Sequence, residues 1–460
     1  MRRTPRSLIA LAGPALLALV ALAPLAVPTP ARAAALARSA PAAGGPSATA
    51  WPQYGGSATH RGANPFEHTF TPGNIGSLKV AWRGIYGTTA TDESSPVVAN
   101  GVAYIAGFDG KVSAFSTAGC GTPKCMPLWQ GSTDNDITAA PAVGGGTLLV
   151  ASADHFLYAF PAAGCGAPTC EPLWRGRLDG ADVDSSVAVA DGLAYVGTYD
   201  RGRLDAFAIS GCGAAVCDPV WAGQGGGHLV TSPAIGDGSV FIGSDDGHLY
   251  VFPAAGCGAP RCAPSWTASL HGPAFSVAPT FADHTVFMGS RTLYAFDARG
   301  CGAPTCLALR SYDLDDAGLL GAPAVAGNLL FASTQSTPNP NTEGVVAAFP
   351  LHGCGAQLCE PLWTGINFGA GFESSPVAAG GLVFVAKGPA SGFPVDAGLF
   401  AYDVHGCGSA VCDPLAFVQV GPDQFYLSSS PAVTGGQIMF GSGNNDDGTS
   451  DLYVLSLPGS

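Results

Sequence analysis

Charge is what this sequence has least of. Asp, Glu, Lys and Arg make up 11% of its 460 residues, and basic residues are the scarcer kind, 19 against 33 acidic. A formal charge of −14 argues against nucleic acid, because a protein that binds phosphate backbones must neutralise them with Lys and Arg. No cysteine precedes Cys120, so none is placed for acylation behind a leader. Beyond the first 33 residues no stretch is long and apolar enough to span a bilayer. No Cys-x-x-Cys-His motif marks an attached haem, and so no built-in electron acceptor.

What is present begins with a leader. Arg2, Arg3 and Arg6 precede an apolar run, and Ala31-Arg32-Ala33 is a small-x-small cleavage signal. Residues 1–33 therefore read as a secretory signal peptide, and the alternative is an uncleaved anchor over residues 8–27. Arg2 and Arg3 also hint at twin-arginine export, although the residues after them fit it poorly. Cleavage removes four arginines and moves the charge from −14 to −18. Residues 34–50 are low in complexity and read as a flexible leader. The expected location is secreted or extracytoplasmic. Glycine reaches 65, which with so few charges predicts short strands and tight turns rather than helices.

A repeat organises residues 51–460. A small-Pro signature recurs at Pro96, Pro141, Pro233, Pro279, Pro323, Pro376 and Pro431, with Val187 in the vacant slot. A "LYAF"-like signature ends at Phe115, Phe160, Phe207, Phe252, Phe296, Phe349, Tyr402 and Leu455. Within a unit such as 94–115, Asn-Gly and Asp-Gly turns separate three alternating strands, the pattern of a hairpin meander. A fourth strand carries Trp129, Trp174, Trp221, Trp266 or Trp363; Leu309 and Phe417 lie in the two units without Trp. The last unit ends without a fourth strand, and "SLKVAW" (77–82) stands before the first unit as a fourth strand without a meander. Donating it to the last blade closes a ring and hides two sheet edges. The expected fold is all-β: an eight-bladed propeller of four-stranded antiparallel blades, closed by that N-terminal strand.

The unit "TSPAIGDGSVFIGSDDGHLYVFPAAGCGAPRCAPSW" (231–266) resembles the pyrroloquinoline-quinone (PQQ) propeller repeat, and the lead-in 51–82 resembles that of quinoprotein alcohol dehydrogenases. The resemblance covers residues 51–457. It implies the propeller, and as one activity a PQQ- and Ca-dependent dehydrogenase. The same repeat also builds non-enzymatic scaffolds such as the outer-membrane assembly lipoprotein, so activity has to be read from the site. Quinoprotein dehydrogenases carry two adjacent cysteines beside the cofactor and long inserts. This chain has no Cys-Cys pair, and its blades use nearly all of its length.

All fourteen cysteines fall into Cys-Gly-x-x-x-Cys turns: Cys120/Cys125, Cys165/Cys170, Cys212/Cys217, Cys257/Cys262, Cys301/Cys306, Cys354/Cys359 and Cys407/Cys412. Each lies between a third and a fourth strand. A zinc site needs about four ligands and each turn offers two; a thioredoxin-like motif has a different spacing and fold. In an exported protein the expected chemistry is seven local disulfides, stapling solvated hairpins at the outer edge of the ring.

Loops entering the first strands and hairpins joining the second and third strands share one face of a propeller. Three residues before the Pro slot this face carries Glu93, Asp184 and Glu373 among others, and two residues earlier Asp136, His228 and Tyr426. Their alternation with apolar residues would turn them toward the axis. They form either a cation or polar-ligand site at the channel mouth or a solvated acidic rim. Hairpins 333–345, 387–398 and 442–451 are lengthened and would wall one side of this face, where function often sits. In the last, Asp446, Asp447 and Asp451 read as a Ca²⁺ cluster or as an Asn/Asp-rich turn. The whole predicts a monomeric, secreted binding or scaffold protein for a protein, glycan or cell-wall ligand, with no nucleic acid and no membrane span after cleavage.

Overall fold

The computed structural model describes residues 48–88, 94–180, 183–274, 277–314, 318–334, 345–366, 374–388, 397–421, 429–444 and 448–459. The repeats fold as eight sheets of an eight-bladed propeller, antiparallel from the first to the fourth strand of each blade. Blade 1 runs Val97–Ala99, Val102–Ala106, Lys111–Ser116 and Trp129–Ser132. The turn between its first two strands places Asn100 and Gly101 at φ 53° and 75°, the left-handed pair that a two-residue hairpin needs. In the next turn Asp109 accepts the backbone N–H of Lys111 at 3.2 Å. The Asp of this turn is therefore a local brace.

The ring closes as the repeat count requires. Lys79–Gly87 pairs antiparallel with Thr449–Ser456, from Lys79↔Ser456 to Gly87↔Ser450, and becomes the fourth strand of blade 8. It runs five residues beyond the segment expected to carry it.

The cysteine turns do more than close themselves. The disulfides are Cys120–Cys125, Cys165–Cys170, Cys212–Cys217, Cys257–Cys262, Cys301–Cys306, Cys354–Cys359 and Cys407–Cys412, each between residues five apart. The two residues ending each turn also form a short strand that pairs in parallel with the fourth strand of the preceding blade. Thr169–Cys170 of blade 2, for example, adds to Trp129–Ser132 of blade 1. Seven sheets thereby gain a fifth, outer strand. The staple is also a clasp between blades.

This pairing corrects the expectation of a solvated staple, because only half of each disulfide faces water. The first cysteine of every pair is exposed. The second is not: Cys125, Cys170, Cys217, Cys262, Cys306, Cys359 and Cys412 are all buried. Parallel pairing sets each of them beside the preceding blade's fourth strand, and it joins that seam's apolar core. Cys262 packs in one cluster with Trp221, Cys306 with Trp266, Cys359 with Tyr312 and Cys412 with Trp363. A buried half-cystine behaves there as a small hydrophobe.

Packing explains the residues around the clasp. The glycine before each first cysteine lies against the preceding blade's fourth-strand side chain. A Cβ on Gly164 would stand 2.7 Å from Trp129, and one on Gly211 2.7 Å from Trp174. The third residue of the fourth strand faces the next blade's "LYAF" aromatic ring, so Gly131 leaves room for Phe160 and Gly176 for Phe207. The strand register corrects the two units without Trp. Opposite the equivalent third-strand residue stand Arg310, paired with Ala295, and Ala416, paired with Ala401, rather than Leu309 and Phe417.

Blade 7 is the exception. Among the described residues no strand pairs with the outer edge of its fourth strand, Ala416–Gly421. The neighbouring unit has no cysteine turn, and Leu78, four residues before Trp82 as Cys125 is before Trp129, is buried there instead. With Ala in the Trp slot, room exists for Ile75 and Leu78, which join the same core as Ala416 and Val418.

Candidate functional site

The two faces of the propeller are unlike, and the N-terminal segment makes them so. Residues 48–67 circle the channel and visit the blades in turn, bonding to the second residue after each Pro slot. Val98 and Trp51 exchange both backbone bonds (2.7 and 2.8 Å), and Val143 N–H donates to Pro52 O at 2.7 Å. Val189 is held by the Gln53 side chain at both its N–H and its C=O. The N–H groups of Ile235, Phe281, Val325 and Ala378 donate to the carbonyls of Ala58, Thr59, Arg61 and Gly62. Asn64 Nδ2 then donates to Val433 O at 2.9 Å. Ala48, expected in the leader, already accepts from Gly435 N–H. One segment thus satisfies polar groups at the inner rim of all eight blades, which would otherwise be left facing the channel. Between this segment and the channel wall lies a cavity with room for about one water molecule, lined by Trp51, Tyr54, His60, Ser95, Ser375 and Ser430.

His60 is a titratable side chain that this plug buries. Its Nδ1 lies 3.2 Å from Pro279 O, so it carries the proton there and donates. Burial lowers its pKa to about 4, with the Pro279 bond working against the shift.

The serines before the Pro slot are structural. The first of each pair accepts a second-strand N–H twelve residues on: Ser185 from Gly197, Thr231 from Gly243, Ser374 from Ala386 and Ser429 from Gly441. The second accepts across the blade seam: Ser186 from Ala140, Ser232 from Ser186, Ser430 from Ser375 and Ser95 from Ser430.

Above that ring lie the residues expected at the mouth. Thr138 and Asp184 hold equivalent positions in blades 2 and 3, and the Thr138 hydroxyl meets Asp184 Oδ1 at 3.3 Å, so consecutive blades do bring these positions together. Asp136 is exposed, and its carbonyl accepts from Ala153 N–H. His228 is wedged between blades 3 and 4. Its ring stacks on Tyr199 with centroids 4.1 Å apart, while Nδ1 reaches Asp245 Oδ2 at 2.6 Å and its N–H donates to Asp245 Oδ1 at 2.8 Å. Glu93, Glu373 and Tyr426 lie outside the described residues, as do Asp446 and Asp447. Asp451 is not in a loop: it is buried in the third strand of blade 8 and pairs with Arg83 at 2.8 Å.

Reasoning from sequence missed Tyr199 and Asp245, which fill one slot of the repeat, twelve residues after the Pro slot, in consecutive units, where the first two units carry Phe108 and Ala153. It also missed a charged knot in blade 3. Asp205 is fully buried in a third strand, 3.0 Å from Arg203. Arg203 also pairs with Asp179, and Asp179 with Arg201. Burial raises the Asp205 carboxyl to about 6 against the opposing pull of Arg203. Aligning the units reveals it, because Tyr158, Tyr250 and Tyr294 fill the same slot.

No protein-family model and no curated protein matches this sequence. Solved structures do. The quinohemoprotein alcohol dehydrogenase of Comamonas testosteroni superposes with a TM-score of 0.64 at 13% identity, covering 90% of this chain and 81% of that one. A europium-containing methanol dehydrogenase gives 0.62 at 13%, covering 89% and 98%. BamB from Moraxella catarrhalis gives 0.56 at 16%, covering 83% and 98%. The fold is that of the quinoprotein β-propellers.

A quinoprotein-type propeller raises the question of PQQ, and the described residues do not fit it. All fourteen cysteines are committed to local disulfides in the third-to-fourth-strand turns, so the adjacent-cysteine platform of the dehydrogenases has no equivalent. Among the described residues no three His, Cys, Asp or Glu side chains stand close enough to share a metal ion. No helix among them is long and apolar enough to cross a membrane.

Proposed function

We propose that this protein is a secreted, non-catalytic binding propeller that takes a protein, glycan or cell-wall ligand on the face bearing the long hairpins. One observation carries the reading: the N-terminal segment occupies the inner rim of all eight blades near their first turns, so the mouth at the second-to-third-strand hairpins is the one that segment does not line. There the partly exposed Tyr199–His228 stack and the Asp184 and Asp245 carboxylates offer an aromatic face and acceptors to a neutral or cationic ligand. Seven disulfides are consistent with an extracytoplasmic setting. The likeness to BamB is compatible with a scaffold, and that to the dehydrogenases with catalysis; at these identities both speak for the fold alone.

The test is cosedimentation with insoluble cell-wall material and a glycan array, comparing the natural protein with one whose hairpins 335–344 and 389–396 are cut to Asn-Gly. Loss of binding in the trimmed protein supports the reading, and binding that survives trimming removes it. Adding PQQ and Ca²⁺ and following dye reduction tests the dehydrogenase alternative. Calcium has a separate readout. If Glu93, Asp136, Asp184 and Glu373 converge, millimolar Ca²⁺ raises the melting temperature by mass action, and replacing Glu93 and Asp184 by Ala abolishes the rise. Replacing Asp446 and Asp447 tests the competing loop.

A further inference from the structure

The plug face carries a groove that the reading above does not use. It has a volume of about 720 Å³ and lies where the N-terminal segment passes the first turns of blades 6 and 7. That volume falls within the range of small-molecule sites, roughly 300–1,000 Å³.

Its lining has two halves. Ala326, Leu329 and Val404 pack against the core shared by blades 6 and 7 yet stay partly open to the groove. Around them stand Arg61, His68 and His405. The carboxylate in the lining, Glu67, is spoken for: its two oxygens accept the N–H groups of Thr69 and Gly436, each at 2.8 Å. Arg61 reaches Asp283 at 3.4 Å, with both side chains nearly half exposed, a pairing worth little in water and readily exchanged. In a protein of net charge −14, one arginine and two histidines thus stand around an apolar floor here. An apolar floor rewards burial of hydrocarbon. A guanidinium at its edge matches the planar, two-oxygen geometry of a carboxylate.

We propose that this groove binds a small amphiphile, a single aliphatic chain ending in a carboxylate, with the chain along Leu329 and Val404 and the head at Arg61. The site lies on the face away from the mouth, so it stands or falls independently of the ligand proposed there.

Isothermal titration of the full-length secreted protein with octanoate and with octanol tests it. Octanoate should bind saturably at one per molecule, and octanol about tenfold more weakly or worse, since one charged hydrogen-bonded contact is worth roughly that factor. Arg61→Gln should weaken octanoate to the level of octanol without changing the melting temperature, and His405→Ala should weaken it less. Octanol binding as tightly as octanoate, octanoate binding untouched by Arg61→Gln, or no saturable octanoate binding would each overturn the proposal. The comparison of octanoate with octanol needs no variant, so it holds even if a substitution impairs folding.

Discussion

Asp205 shows how one residue can depart from a repeat and remain structural. A tyrosine in its slot, as in blades 2, 4 and 5, puts its ring into the apolar seam with the preceding blade. A carboxylate there loses its water and needs Arg203, which in turn needs Asp179. Because its folded pKa of about 6 lies above its ordinary 3.8, this group favours the folded state fully below pH 3.8. That contribution fades as pH rises through 6. Asp205→Asn should therefore gain on the natural protein between pH 4 and pH 7, by up to about 3 kcal/mol. Urea melts at the two pH values measure it, and equal differences at both would mean that Arg203 keeps the carboxylate charged throughout. Asp136, Asp184 and His228 could be singled out by their places in the repeat. Their partners could not, because Tyr199 and Asp245 reach His228 from two blades whose seam no local spacing encodes.

At the scale of elements, the cysteine turn is legible as a local disulfide and only half explained by its spacing. Spacing fixes which sulfurs meet. It does not say that the turn leans on the preceding blade, since the parallel pairing of Val216–Cys217 with Trp174–Arg177 joins residues some forty positions apart. Nor does it say that the second sulfur of each turn is buried in the seam. Closing each small loop is worth about 2 kcal/mol by chain entropy. Replacing Cys212 and Cys217 by Ser should cost at least that, and should raise hydrogen exchange along Trp174–Arg177 as well as within the turn. Protection lost in the turn alone would show that the clasp contributes nothing to the seam. Mapping without reduction should return seven such loops and no free thiol. The seam of blades 7 and 8 is built otherwise, with Leu78 and Ala416 in the places of Cys and Trp.

For the molecule as a whole, the plug matters most. Removing residues 1–47 should leave the melting temperature within a few degrees. Removing residues 1–66 should lower it severely, because eight blade rims lose their partners at once. His60 makes the docked plug sensitive to acid. Its folded pKa of about 4 lies below its ordinary 6.5, so its contribution is complete above pH 6.5. It is lost as pH falls toward 4, by an amount on the order of 3 kcal/mol. Asn tolerates the left-handed backbone at this position (φ 52°), and His60→Asn should flatten the decline in thermal melts from pH 7 to pH 4.5. An unchanged decline would place the acid-sensitive group elsewhere. Blade number, strand order, the donated strand and the disulfide partners were determined by the sequence alone, because each follows from a period or a spacing short enough to read along the chain. Which face is closed, what the cysteine turns lean on and which polar residues are already satisfied were decided only by the tertiary structure. Those facts depend on contacts between blades, and a repeat describes one blade at a time.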